Sequence, residues 1–161
     1  MPILHSAKPV DLVIIALGVN DLKWRFSATP ADIANGAGLL AADIQLSGAT
    51  EIHPSGPALK EGAEESASSA PKVLLLCPPP ITNEYFFPDF RGGGAARSRE
   101  LAAEFDRVAS SLGSDVAWLD GGAVEGVQCS EVDGIHLTAA AHEALGKAVV
   151  ARVEAMLADC L

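Results

Sequence analysis

The sequence predicts an α/β domain built on a parallel sheet, and three observations carry that expectation. Short apolar runs, "DLVIIALG" at 11–18, "KVLLLCPPP" at 72–80 and "VAWLDGG" at 116–122, recur along the chain. Each is β-branched or aromatic in part and ends in Gly or Pro, which suits buried strands. Segments with helical spacing lie between and after these runs, so strand and helix alternate, as in layered domains with right-handed crossovers. The runs are also apolar throughout rather than alternating, as expected of strands covered on both faces of a parallel sheet.

The first helical segment opens with Thr29 as a cap, Pro30 at the first helical position and Asp32 in the first turn, and then sets Ile33, Ala37, Leu40 and Ile44 on one stripe. The second carries Leu101, Phe105, Val108 and Leu112 at steps of four, three and four. A third begins after Thr138 and runs through Leu145, Val149, Val153 and Met156. Residues 48–70 are rich in Gly, Ser, Ala, Pro and Glu with no apolar stripe, and read as a flexible surface insertion. No repeat or composition shift marks a second unit, so 1–161 is expected to form a single domain.

Composition narrows the function. The chain has 161 residues, 49% of them apolar, enough for one buried core. Eleven basic residues against 21 acidic give a formal charge of -10, which repels phosphate backbones and anionic headgroups. Neither nucleic acid nor a membrane surface is the expected partner. The longest apolar run, "LVIIAL", falls far short of the roughly 20 residues of a membrane helix, and the opening residues lack the pattern of a signal peptide. Cys77, Cys129 and Cys160 are odd in number and widely spaced, which supports neither a disulfide framework nor a four-cysteine zinc site. A soluble, reducing and therefore cytoplasmic setting is expected, unless a targeting segment precedes Met1.

In α/β sheets chemistry gathers at the carboxyl ends of the strands. After the first run stands Gly18-Val19-Asn20-Asp21, where a side-chain amide can donate to a developing oxyanion; a plain polar turn is the alternative. After the third run, "EVDGIHLTAAAHEALG" at 131–146 places Asp133 three residues before His136, ahead of the helix cap Thr138. A histidine with a carboxylate beside it is the base half of a nucleophilic hydrolase, because the carboxylate fixes the tautomer and stabilises the imidazolium. The competing readings are a packing or capping histidine, and a metal site using Cys129, Asp133 and His136, whose spacing fits no compact metal pattern. The aromatic residues Trp24, Phe26, Tyr85, Phe86, Phe87 and Phe90 fall in loops after strand ends and could line an acyl or aryl pocket, or form a lid or an oligomer contact. His142, inside the last helix, reads as structural or exposed. "GAGLLA" at 36–41 lies within a helical stripe and "RGGGAARSR" at 91–99 reads as a loop leading into a helix, so neither is taken as a nucleotide or anion site.

Taken together, "DLVIIALGVNDLK", "PKVLLLCPPP" and "DGIHLTAAAHEALG" resemble the SGNH (GDSL-type) hydrolase superfamily, most closely its bacterial arylesterase and acyltransferase branch. The resemblance covers nearly all of the chain outside 48–70. It implies a three-layer, flavodoxin-like fold with strand order 2-1-3-4-5, of which this sequence carries the strands from the third onward. It also implies that Asn20 completes the oxyanion hole, that Asp133 orients His136 and that His136 is the general base. Short-chain or aryl esters are the implied substrates, with acyl transfer as a side activity and no metal or organic cofactor.

One departure stands against that resemblance. Family members carry the nucleophilic serine in a Gly-Asp-Ser block after their first strand, and a second strand ends in a glycine whose N–H joins the oxyanion hole. No Gly-Asp-Ser occurs in this sequence, and the Gly-x-Ser-x-Gly elbow of another hydrolase class is absent too. Ser6, Ser27 and Ser130 do not follow a strand end at the expected place. The sequence is therefore expected to be an impaired or inactive hydrolase as it stands, representing the C-terminal portion of the domain. Its first visible strand would be an uncovered apolar edge, open to a complementing chain or a second copy. The competing functions are a non-catalytic binding or assembly module using that edge and, more weakly, a flavodoxin-like nucleotide binder, for which no phosphate-cradling loop follows the first run.

Overall fold

Val73, Leu74 and Leu75 are each 0% exposed, so the middle apolar run is buried on both faces, as an uninterrupted hydrophobic strand requires. The computed structural model describes residue 4 and residues 6–47 and 70–158. The expected insertion at 48–70, apart from Ala70, and the third cysteine, Cys160, lie outside the described residues.

Three strands form one parallel sheet in the order β1 (Leu12–Ile15), β2 (Lys72–Cys77), β3 (Val116–Asp120). Ile15 pairs with Leu75, and Leu75 in turn with Trp118, so all three chains run toward the same rim. The expected strand at 11–18 is shorter than its apolar run. After Ile15 the chain leaves the ladder toward Gly18, which sits at φ +118, a conformation that glycine adopts without the Cβ clash. A Cβ at Gly18 would lie 3.0 Å from Cγ2 of Ile33.

The connections are helices, as long parallel crossovers demand. Helix α1 (Pro30–Gln45) follows β1, α2 (Gly94–Ser111) follows β2, and α3 (Ala139–Leu157) follows β3. The start of α1 is a capping box. Thr29 Oγ1 accepts from the Asp32 backbone N–H at 3.1 Å, and the Asp32 carboxylate accepts from the Thr29 N–H at 2.9 Å. Those bonds hold the Asp32 carboxyl below its usual range, with the side-chain bond to Thr29 the largest cause. Thr138 caps α3 in the same way, accepting from the Ala141 N–H at 3.1 Å.

Helices α1 and α2 cover one face of the sheet. Ile33, Ala37, Ala41 and Ile44 meet Leu101, Phe105 and Val108 over Ile15, Val73, Leu75 and Val116. Leu40, expected on the buried stripe, is 40% exposed, because Ala41 at the neighbouring position of the turn fills the space against the core. Gly38 lets the two helices approach closely: a Cβ there would run into Val108. Burial of side chains such as Phe105 and Leu101, both 0% exposed, is worth about 1.5–3 kcal/mol each relative to exposure.

Helix α3 covers the other face more thinly. Lys72, whose side chain alternates with that of Val73, donates from Nζ to the Met156 carbonyl at 2.6 Å, which fixes the end of α3 on that side. Coverage fails toward β1, an edge strand, where Ile14 is 43% exposed.

Candidate active site

Each functional side chain sits just beyond the carboxyl end of a strand. Beyond β1, residues Asn20–Leu22 form one 3-10 turn, closed by the Lys23 N–H on the Asn20 carbonyl at 3.2 Å. Leu22 is 1% exposed and pins the turn into the core, while Arg97 of α2 donates from Nη2 to its carbonyl at 2.6 Å. The Asn20 side chain is exposed, and its amide makes no hydrogen bond among the described residues. That leaves two N–H donors for a ligand.

Beyond β2, Pro78, Pro79 and Pro80 carry the chain past the rim. Buried Ser98 bridges this loop to α2, donating to the Ala95 carbonyl at 2.8 Å and accepting from the Ile81 N–H at 3.1 Å. A further 3-10 turn, Pro88–Phe90, presents Phe90, which is 4% exposed.

Beyond β3, the segment leading to α3 folds on itself around Asp133 and His136. One carboxylate oxygen of Asp133 accepts from the backbone N–H groups of Ile135 and His136, each at 2.9 Å. The other lies 2.7 Å from His136 Nδ1. These contacts, the Ile135 N–H first and the imidazole next, hold the Asp133 carboxyl down to about 2. An ionised carboxylate on Nδ1 favours the tautomer with the proton there, which leaves Nε2 as the basic nitrogen. The His136 side chain is 71% exposed. The ring of Phe87 stands edge-on to it, with centroids 6.1 Å apart and planes at 82°.

The loop that holds the pair is braced from several sides. Ser130 N–H donates to the His136 carbonyl and Gly134 N–H to the Ser130 carbonyl, both at 2.7 Å. Thr82 N–H donates to the Gly134 carbonyl at 2.8 Å, tying the loop to the segment after β2. Gly134 lies at φ +71 against the Asn83 backbone, with no room for a Cβ. Buried Cys129 pairs with Leu137 in an isolated antiparallel bridge, and its Sγ lies 3.4 Å from the Pro80 carbonyl and 3.3 Å from that of Ile135. Burial and then the charge of Asp133 push the Cys129 thiol up. Among the described residues no group of three or more His, Cys, Asp or Glu is placed to hold a metal ion.

Asn20 and His136 line one cavity of about 470 Å³, together with Val19, Lys23, Ile135 and the stretch from Phe87 to Phe90. Asp133 stands behind His136 rather than in the lining. Of the aromatic residues flagged in the sequence, Phe87 and Phe90 face this cavity, whereas Trp24, Phe26, Tyr85 and Phe86 are more than half exposed and do not line it. Among the described residues, neither hydroxyl nor thiol contributes to the lining. Ser130 spends its hydroxyl on the Val132 N–H at 3.1 Å, and Ser27 stands exposed at the end of the Trp24–Phe26 turn. His142 is exposed on α3. Lys23 and Gly134 carry no local signal in the sequence, and Cys129, a metal candidate there, serves as a buried brace; all three make contacts across loops distant in the chain. The arrangement provides an oriented base and a free amide donor facing one apolar-walled space, parts that suit acyl chemistry.

Comparison with known proteins bears on the family of the chain. The model of the GDSL-like lipase/acylhydrolase family matches residues 1–144. No curated protein matches the chain significantly. Among solved structures, the native aryl esterase of M. smegmatis aligns with 34% identity and a TM-score of 0.77, over 97% of this chain and 66% of that one. Its inhibitor-bound form gives 35% and 0.78 over the same shares of the two chains. A carbohydrate acetylesterase from Sinorhizobium meliloti gives 34% and 0.77, over 96% of this chain and 65% of that one. The chain thus spans about two thirds of the length of the solved structures it matches. With a family model covering most of its length and the same α/β fold in those esterases, the chain belongs to the GDSL-like lipase/acylhydrolase family, the SGNH hydrolases.

Proposed function

We propose that this chain carries the acid/base pair and one oxyanion donor of an SGNH-type ester hydrolase. His136 is the general base and Asp133 orients it, while Asn20 donates to the oxyanion. Short-chain or aryl esters are the substrates and acyl transfer the side activity. We read 1–161 as one domain with an insertion at 48–70, working in the cytoplasm. The observation that carries the reading is the shared cavity of Asn20 and His136. The similar structures, an aryl esterase and a carbohydrate acetylesterase, support the same bond class.

Among the described residues the lining offers no hydroxyl or thiol nucleophile, so the reaction we propose for these groups is water attack assisted by His136. Loss of the nucleophile in serine proteases costs on the order of a million-fold in turnover, with a residual about 10³–10⁴-fold above water from the remaining groups. Hydrolysis of p-nitrophenyl acetate tests this. The expected result is a slow, burst-free rate that falls in His136→Ala but stays above background. Fast turnover with an acyl burst would refute the missing nucleophile, and an unchanged rate in His136→Ala would refute the site.

A second reading, a binding or assembly module, is favoured by the apolar edge at β1, where Ile14 and Leu17 are 43% and 55% exposed. A second copy or a complementing chain adding a strand there would cover it. Sedimentation of the purified chain as a single monomeric species at high concentration would remove the self-association form of this reading.

A further inference from the structure

Beside the aromatic wall of the cavity lies a cation with no counter-ion among the described residues. Lys23 follows Asn20 by three residues on the same turn and lines the same space as His136. It is half-buried, with its Nζ 5.6 Å from the centroid of the Phe90 ring. A ring face at that distance holds an ammonium in place without neutralising it. No carboxylate pairs with Lys23 among the described residues. The one acidic residue in the lining, Asp89, is taken by Arg25 at 2.5 Å, and Asp133 is taken by His136 at 2.7 Å. In a chain of formal charge -10, the ammonium of Lys23 is therefore a local exception, left available toward the cavity.

We propose that this cavity selects small esters whose acyl or aryl group bears a carboxylate, with that carboxylate on Lys23 and the carbon skeleton against Phe87, Phe90 and Ile135. The inference rests on the reading of this space as the ester site. An ammonium on an aromatic wall gives a carboxylate a charge-assisted hydrogen bond in a place partly shielded from water, whereas a neutral amide of the same shape accepts a weaker hydrogen bond without the opposite charge.

Binding without turnover tests it. Benzoate and benzamide are titrated into the 161-residue chain at pH 8 and followed by backbone amide NMR shifts. Benzoate should bind about tenfold more tightly than benzamide, a difference of about 1.4 kcal/mol, and should shift the amides of residues 20–23 and of Phe87, Asp89 and Phe90. Lys23→Met keeps an apolar stem on Phe90 and should erase the preference; Lys23→Arg should retain it. His136→Gln should also retain it, since the anion sits on Lys23 rather than on an imidazolium. Equal binding of the two probes, no binding of either, a preference that survives Lys23→Met, or one lost in His136→Gln would each overturn the proposal. The ester reading fails separately, through a hydrolysis rate indifferent to His136→Ala, and that result would leave a measured benzoate preference intact.

Discussion

The two loops that meet at the cavity are built on opposite plans. The segment holding Asp133 and His136 is bonded at many of its backbone groups, by Ser130, Thr82 and Gly134, and by the carboxylate on two N–H groups. The Asn20 turn is anchored beneath by Leu22 and Arg97, yet its side-chain amide is exposed and without a partner among the described residues. In the function proposed above, the difference separates two tasks, that of a base and that of an oxyanion donor. A base must be held in one tautomer and orientation before the reaction, so its surroundings are satisfied internally. A donor to a transient oxyanion is most useful when no internal acceptor competes for it. Folding free energy is therefore expected to reside in the first loop, and ligand free energy at the second.

Substitutions can break that contrast, beginning where the effect is largest. Gly134→Val places a branched side chain at φ +71 and against the Asn83 backbone, with the left-handed conformation alone costing about 1–2 kcal/mol. A loss of about 3 kcal/mol in urea unfolding is expected once the collision is added, together with loss of the Asp133–His136 contact. Cys129→Ala removes the thiol seated between two carbonyls and leaves a small void, for an expected loss of about 1–2 kcal/mol.

Acid pH sharpens the contrast at Asp133. Its folded value, about 2, lies below the ordinary aspartate value of about 3.9, so its contribution favours the folded state above that ordinary value. The contribution is lost as pH falls through the folded value. Carboxyl NMR should give a midpoint near 2, and Asp133→Asn should flatten this part of the acid unfolding profile. At the small end, Asn20→Ala should change stability by no more than about 0.5 kcal/mol, since the amide has no partner to lose. A larger loss would mean that the donor is a structural residue.

The layered fold was legible because its local signals agreed. The cap at Thr29, Pro30 and Asp32 formed as the sequence implied, and the three apolar runs became parallel strands. The family resemblance, carried by the blocks around Asn20 and around Asp133 and His136, agrees with the family model and the solved esterases. Their placement on one cavity could be anticipated from strand ends alone, whereas their catalytic roles await the experiments above. Other features depended on contacts remote in sequence. Leu40 and Ala41 are both apolar and adjacent, and only the approach of α2 decides which one is buried. The six loop aromatics look equivalent in composition, yet only Phe87 and Phe90 reach the cavity, because the Pro88–Phe90 turn aims them there. The availability of Lys23 depends on Arg25 having engaged Asp89, a partner 64 residues away.

A double-mutant cycle on the slow hydrolysis of p-nitrophenyl acetate puts the cooperation of the two loops to the most direct test. If Asn20 and His136 serve one transition state, each alanine variant lowers the rate, and the double variant falls less than the product of the two single losses. Wild-type rates in either single variant would contradict the account.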